Sequence, residues 1–390
     1  MLAFTFFAPL RIVFEKKGIR DIGKYVSRNG NRVLLVTGKK HLKETGKLDE
    51  ILESLKRVEK IEEVFIYSDT PQNPDIEAIH EARDMIIKHN LNVVLAVGGG
   101  SSMDLAKAAS ICAKHKKDVM HIFKDPALPV MDAYPIICSP TTSGSGSEVT
   151  KYVVFNDNRR KLKMAMSSEG FFPKVSLIDP ELTYSMPKEV IANTGFDAIS
   201  HAIEAYTSRS SCPITDAYCK EAISLIHTYL VNAYKTKSER AMDNMSLAAM
   251  FGGMALNVGR ASLPHALEHS LSAYRPDLPH GLGLSMVMVP FMKRAFKCNM
   301  VKFADIAYFL GENISSDSLE NAAKKSIDAV IKLKEQLNLK YTLKDFGFNK
   351  KEIDNLVDNT LFTMEHGLKN SPCEFTEKDV REIYYEALEG

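Results

Sequence analysis

Between Asp197 and His280 one carboxylate and four histidines have the types and spacing to gather around a single metal ion. Asp197 and His201 sit four apart in Gly195-Phe-Asp-Ala-Ile-Ser-His-Ala-Ile-Glu204, and His265 and His269 sit four apart in Leu263-Pro-His-Ala-Leu-Glu-His269. Residues four apart share one face of a helix. His280 follows in Leu278-Pro-His-Gly281. An Asp with two or three imidazoles is a mixed oxygen and nitrogen donor set that suits a divalent transition metal such as iron or zinc. A lone acid–histidine pair is ordinarily a helix-surface pair. Here, however, five of the 11 histidines fall between positions 201 and 280. Both pairs also lie among apolar and small residues, where an unpaired imidazole costs free energy. His41, His80, His89 and His115 lie among lysines and glutamates and read as solvated. Spacing alone does not choose between His265 and His269 as a ligand.

These residues need elements to position them, and the chain changes texture near residue 186. Before it, β-branched runs alternate with helical stretches. Arg32–Thr37 reads as a strand ending at Gly38, Leu48–Val58 as a helix, Glu63–Tyr67 as a strand and Asp75–His89 as a helix. A third strand, Asn92–Val97, runs into Gly98-Gly-Gly-Ser-Ser-Met-Asp104 and a helix from about Met103 to Lys114, and Tyr134–Cys138 is a further strand. That rhythm predicts a mostly parallel sheet with helices on its faces. After Ser185-Met-Pro-Lys-Glu189, a capped helix start, the chain reads as largely helical. The expectation is an α/β dinucleotide-type domain over 1–186 and an all-helical domain over 187–390, with the active site in the cleft between them. Ligands bind such sheets outside the carboxyl ends of the strands.

Two segments of the first half suit phosphates. Gly98-Gly-Gly-Ser101 follows a buried strand and opens a helix, so its backbone can approach an anion and the free amides of the helix start can bind it. Pro140-Thr-Thr-Ser-Gly-Ser-Gly-Ser-Glu148 follows another strand and supplies hydroxyls and flexible backbone. Two such turns in one α/β domain favour a dinucleotide.

Composition narrows the classes. With 50 Lys plus Arg against 49 Asp plus Glu, the formal charge is +1, which leaves no electrostatic footprint for nucleic acid or an anionic membrane. At 390 residues two domains are expected. The six cysteines are scattered without a Cys-x-x-Cys and read as reduced thiols of a cytoplasmic protein. The apolar opening, Met1–Leu10, lacks a basic start and breaks at Pro9 and Arg11, so it reads as an edge strand over Phe4–Val13 rather than a secretion signal. No apolar run is long enough to span a bilayer.

The four segments Gly98–Lys107, Pro140–Glu148, Gly195–Tyr206 and Leu263–His269 with Leu278–Gly281 together resemble the iron-containing (group III) alcohol dehydrogenase family, in order and spacing, over essentially the whole chain. Phe375–Tyr384 is similar to the family's last helix. The resemblance implies a dehydroquinate synthase-like fold and assigns the metal to Asp197, His201, His265 and His280, iron before zinc, with His269 beside the nicotinamide as proton relay. It implies that Gly98, Gly99, Gly100, Ser101 and Asp104 hold the pyrophosphate. It also implies that Thr141, Thr142 and Ser145 line the cofactor cleft and that Lys163 points into it, with Lys161 competing for the same position. The activity implied is hydride transfer between NAD(P) and a small primary alcohol or diol, butanol- or propanediol-like, or its aldehyde. A glycerol-type polyol dehydrogenase, a dehydroquinate synthase-like lyase and a silent metal and nucleotide binder are the alternatives.

Two departures from the family pattern stand out. Arg260 occupies a place where many members carry glycine, and is expected to cap a helix or pair with an acid on the surface. The stretch from His265 to His280, around Arg275-Pro-Asp277, is longer than in some relatives. At Gly38 many NAD-preferring members carry Asp, whose charge repels a 2′-phosphate. Here Gly38 is followed by Lys39 and Lys40, so NADP(H) is expected over NAD(H). The exposed edge strand and the resemblance together predict a homodimer.

Overall fold

The alternating runs of the first half form one six-stranded sheet in the computed structural model, which describes residues 3–390. Met1 and Leu2, at the start of the apolar opening, lie outside the described residues. The strands are β1 (Arg11–Phe14), β2 (Arg32–Gly38), β3 (Glu63–Thr70), β4 (Val93–Gly98), β5 (Ile136–Pro140) and β8 (Val175–Ile178), all parallel, in the order β1-β8-β5-β4-β2-β3. A separate antiparallel hairpin, β6 (Tyr152–Asp157) and β7 (Leu162–Ser167), is inserted before β8.

Burial explains the sequence of the central strands. Every residue of β4, and Val33–Thr37 of β2, is buried. Leu34, Val36, Val94 and Ala96 face one apolar layer, while Val33, Leu35, Val93 and Leu95 face the other. A parallel sheet covered on both sides needs such near-continuous apolar runs. Counting only the longer helices, α1 (Lys47–Lys56), α2 (Ile76–Lys88) and α3 (Gly100–His115) belong to this half. Asp75 caps α2 by accepting from the Ala78 amide at 2.9 Å. The chain leaves β2 for β3 on one side and then places β4 on the other. The carboxyl ends of β2 and β4, at Gly38 and Gly98, therefore flank the point where strand order reverses, the usual place for a crevice.

The second half is all helical: α4 (Lys188–Thr207), α5 (Pro213–Thr236), α6 (Glu239–Gly259), α7 (Leu263–Tyr274), α8 (His280–Ala295), α9 (Met300–Phe309), α10 (Leu319–Gln336), α11 (Ile353–Thr363) and α12 (Glu377–Glu389). From Gly195 to Thr207 α4 is buried all round, packed among α5, α6 and α8. A helix apolar on every face belongs at the centre of a core. Among the described residues no helix is long and apolar enough to cross a membrane.

Four expectations need correction. The edge strand covers only Arg11–Phe14 rather than Phe4–Val13, because its partner β8 has four residues and Pro9 carries no amide to donate. Helix α3 begins at Gly100, so the glycine run is itself the helix start. Helix α4 begins at Lys188 after Pro187 with no side-chain cap, where a capped start at Ser185 was expected. The cysteines are not all thiols: Cys298 and Cys373 form a disulfide, their Cα atoms 5.7 Å apart across 75 residues of sequence, and the other four are buried and free. A separation of 75 residues carries no local signal of pairing.

Candidate metal centre and cofactor cleft

Three helices bring the predicted metal set together. Asp197 and His201 project from one face of α4, His265 and His269 from α7, and His280 is the first residue of α8. The start of α8 abuts α4 so closely that a Cβ on Gly281 would strike the Asn193 carbonyl, and that approach delivers His280 to Asp197. The Nε2 atoms of His201, His265 and His280 lie 3.5, 3.6 and 3.6 Å from the one oxygen Oδ1 of Asp197. The His201 and His265 rings stack at 4.5 Å. Donor atoms of Asp197, His201 and His265 all lie within 4.8 Å of one another.

The residues fit a cation on two independent grounds. Asp197 Oδ1 and His265 Nε2 are buried and have no hydrogen-bond partner, a costly state unless an ion between them completes it. Charge gives the second ground. Asp197, Glu204 and Glu268 are buried carboxylates facing a single buried ammonium, Lys163, an excess of negative charge that a divalent ion would offset.

The carboxylates also orient the rings. Glu204 Oε1 takes His265 Nδ1 at 2.6 Å, and its Oε2 accepts from the Ser262 amide at 2.7 Å. His280 Nδ1 is bonded to Glu268 Oε2, which also accepts from Lys163 Nζ at 3.1 Å. In each case the outer nitrogen is held so that Nε2 faces Asp197. Burial pushes the His201 imidazole down to about 4. For His265 burial acts in the same sense, but the Glu204 and Asp197 charges outweigh it and raise the ring to about 10. The field that draws a proton onto His265 also draws a metal cation in its place. Asp197 is held well below the usual carboxylate range: burial raises it, and the histidines around it overcome that.

A cavity of about 820 Å³ opens on this cluster. Gly99, Gly100, Ser101, Asp104, Thr142, Ser145 and Lys163 line it from the α/β half, and Asp197, His201, His265, His269 and His280 from the helical half. Gly38, Lys39, Gly98 and Thr141, expected at the cofactor, are not among the lining residues. Gly98 would bring a Cβ within 3.7 Å of the Gly38 amide, and the Gly98 carbonyl accepts from Thr141 N at 2.9 Å. A Cβ on Gly100 would come 2.7 Å from Ser145 Oγ, so glycine there keeps the two phosphate-competent turns in contact. Lys161 lies over the Tyr274 ring, leaving Lys163 as the lysine in the cleft.

Asp104, expected at the pyrophosphate, lines the cavity, but its two oxygens accept from Ser147 Oγ at 2.6 Å and the Val154 amide at 2.9 Å, so it holds the second glycine-rich segment. Other contributors were not read from the sequence. One turn on from Asp104, the fully buried Lys107 donates to Ser147 O, Thr150 O and Tyr152 O at 2.6, 3.0 and 3.1 Å. Together they clamp the second glycine-rich segment onto α3. Glu204 and Glu268 were also missed; their signal was an acid three residues beyond a metal-type histidine in an otherwise apolar helix.

Arg260 meets part of its expectation: it is exposed and stands at the C-cap of α6, its amide donating to the Leu256 carbonyl at 3.0 Å. Among the described residues its side chain pairs with no acid, and it contributes to the cavity lining. Its backbone, at φ 59° and ψ 162°, lies in a region that favours glycine and costs about 1–3 kcal/mol for other residues. Arg275 turns away to the Gly347 carbonyl and Glu352, at 3.0 and 2.9 Å.

Comparison with known proteins agrees with this geometry. The family model described as Iron-containing alcohol dehydrogenase matches residues 9–180, and the one described as Fe-containing alcohol dehydrogenase family, C-terminal, matches 191–388. The 1,3-propanediol dehydrogenase of Citrobacter freundii is 30% identical over 99% of both chains. A choline dehydrogenase of Bacillus subtilis is 34% identical over 97% of this chain and 94% of its own. A crystal structure of a 1,3-propanediol oxidoreductase superposes with a TM-score of 0.93 at 30% identity, covering 99% of this chain and 100% of the other. With both halves matched and the donor cluster between them, the chain belongs to the iron-containing alcohol dehydrogenase family.

Proposed function

We propose that this protein transfers hydride between a nicotinamide cofactor and a small primary alcohol or diol, butanol- or propanediol-like, using one divalent metal, iron before zinc, held by Asp197, His201, His265 and His280. The observation that carries the reading is the convergence of three imidazole Nε2 atoms on the unpartnered Asp197 Oδ1. The bound ion supplies Lewis acidity toward the alcohol oxygen, and the nicotinamide supplies the hydride acceptor. Glu204 and Glu268 keep His265 and His280 facing the ion. His269 lines the cavity with Nδ1 free of a partner, placed to pass the alcohol proton outward. Lys163, neutralised by Glu268, sits on the cofactor side, and the pyrophosphate rests on Gly98–Ser101 at the start of α3, with Thr141, Thr142 and Ser145 opposite.

NADP(H) is the preferred cofactor. A Cβ at Gly38 would meet nothing within 4 Å, which leaves room for a 2′-phosphate. Lys39 pairs with Asp69 at 3.1 Å, but both are exposed. Such pairs contribute about 0–1 kcal/mol, too little to stop Lys39 turning to a phosphate. The domain boundary falls near residue 186. The working form is a homodimer through the β1 edge, where Phe4, Phe7 and Phe14 remain exposed. We place the protein in the cytoplasm; the Cys298–Cys373 bond is the one feature that runs against a reducing compartment.

A lyase acting on a phosphorylated carboxylic substrate would want several basic groups in the pocket. Arg275 is turned away and Lys163 is paired, so among the described residues Arg260 alone is an unpaired basic side chain in the lining, one where several are wanted, which disfavours that alternative. The test is anaerobic reconstitution with Fe²⁺ or Zn²⁺, followed by NADPH oxidation with butanal and NADP reduction with butanol or 1,3-propanediol. Turnover in both directions is expected. Stoichiometric metal binding with no cofactor turnover on any of these would overturn the reading.

A further inference from the structure

Of the Lys and Arg residues that line the cavity, Lys163 is paired with Glu268, whereas Arg260 has no carboxylate partner among the described residues. Two further basic groups, Lys151 and His366, stand within range of its charge. Lys151 and His366 are both pushed down, first by burial and then by the Arg260 charge. The acids in range are Glu169, which acts on Lys151, and Glu365, which is paired with Lys369 at 2.8 Å. The Tyr152 phenol faces the guanidinium, which partly offsets the rise that burial causes. An arginine is thus held at a glycine-favouring backbone position and lines the same cavity as the metal-type cluster. Strain kept at a cavity wall is a mark of use.

The cofactor's phosphates are not the obvious partner. β6 crosses α3 with Val154 at Asp104 and Tyr152 at Lys107, so Tyr152 and the facing Arg260 lie along α3 away from the glycine turn at its start. On its other side Arg260 adjoins Ser262, which donates to Glu204, the carboxylate that holds His265. The guanidinium, facing Tyr152, thus lies off the phosphate turn, on a chain segment that runs on to Ser262 and His265.

We infer that Arg260 binds a carboxylate carried by the substrate, so that the preferred substrate is a small aldehyde, or its alcohol, with a carboxylate at the end remote from the reacting carbon. The fork of N–H donors matches two carboxylate oxygens, and the inference rests on the dehydrogenase reading above for the reaction itself. A fixed positive charge on the alcohol would be repelled at the same place.

The test compares 4-oxobutanoate with butanal, equal in carbon count, on the metal-loaded enzyme with NADPH and NADH. The expected kcat/KM ratio favours 4-oxobutanoate by about tenfold to a hundredfold, carried mainly in KM, as a charge-assisted hydrogen bond implies. Arg260→Gly suits the local backbone, so it folds with an undiminished Tm, and the ratio falls to about one; Arg260→Lys keeps part of it. A wild-type ratio of one or less, or an unchanged ratio in Arg260→Gly, overturns the inference. Choline, a cationic alcohol, should be a poorer substrate for the wild type than for Arg260→Gly, and the reverse order also overturns it. Calorimetry with succinate supplies a readout without turnover: binding to the wild type and none to Arg260→Gly is expected. If neither aldehyde is reduced, the dehydrogenase reading fails. The succinate experiment then decides the anion site alone, with equal heats in the two proteins refuting it.

Discussion

The two walls of the cavity are built in opposite ways. On the sheet side the functional surface is backbone and small side chains, with Gly99, Gly100, Thr142 and Ser145 at the start of α3 and the loop after β5. On the helical side it is charge: an acid and three imidazoles backed by Glu204 and Glu268, all buried except His280, which is partly exposed at the start of α8. One wall works by leaving space for a large ligand and offering amides to it. The other works by holding donors largely out of water, with Asp197 Oδ1 and His265 Nε2 left without a hydrogen-bond partner. The first should fail by crowding and the second by loss of a donor or of what orients it.

The comparison breaks most sharply at His265. His265→Ala should remove metal and activity together, with kcat/KM falling about a thousandfold or more, while the protein stays folded; full metal occupancy by elemental analysis would contradict the ligand assignment. His269→Ala should instead lower turnover with metal retained. Next in size is Glu204→Gln, which keeps the shape but weakens the hold on His265 Nδ1. Metal affinity measured by competition with a chelator should drop about 10- to 100-fold, with much of the activity regained at saturating metal. On the opposite wall Gly100→Ala forces a Cβ toward Ser145. It should raise KM for the cofactor about tenfold, by loss of well-placed amide contacts, and leave metal content untouched; a loss of metal there would mean the two walls are not separable. The smallest effect is expected from Gly38→Asp, which should shift the NADPH-to-NADH efficiency ratio toward NADH by less than about tenfold, the scale of one exposed charge pair. No shift would mean that the 2′-phosphate is not read at this strand end.

The same contrast governs what could be read from the sequence. The pairs Asp197/His201 and His265/His269 were legible because donor types at helical spacing leave a pattern, and the glycine turns because a strand running into glycines does so too. Choosing His265 over His269 needed the family resemblance, since spacing treats them alike. Glu204 and Glu268 had a signal, an acid in an apolar helix beside a metal-type histidine, but not their partners, because a hydrogen bond across helices has no sequence period. Lys107 reads as an ordinary helix lysine until the 147–152 segment folds over it. The β6–β7 hairpin was missed although Asp157-Asn-Arg-Arg160 is a turn between alternating runs, because an antiparallel pair does not belong to the parallel rhythm on either side. Arg260 reads as a surface charge at a helix end and is exposed at the end of α6; what the sequence pattern does not carry is its glycine-type backbone and its share in the cavity lining.

The register of β1 sets a clock for the nascent chain. Arg11 pairs with Val175, so β1 cannot take its place until β8, 164 residues later in the chain, has emerged. At about 5–20 residues per second that wait is on the order of 10–30 s, during which the apolar segment ahead of β1, with Phe4, Phe6 and Phe7, has no sheet to join. Cellular yield should therefore respond to holdase chaperones that bind this leading segment. A circular permutant that starts at β2 and carries β1 behind β8 should depend on them less.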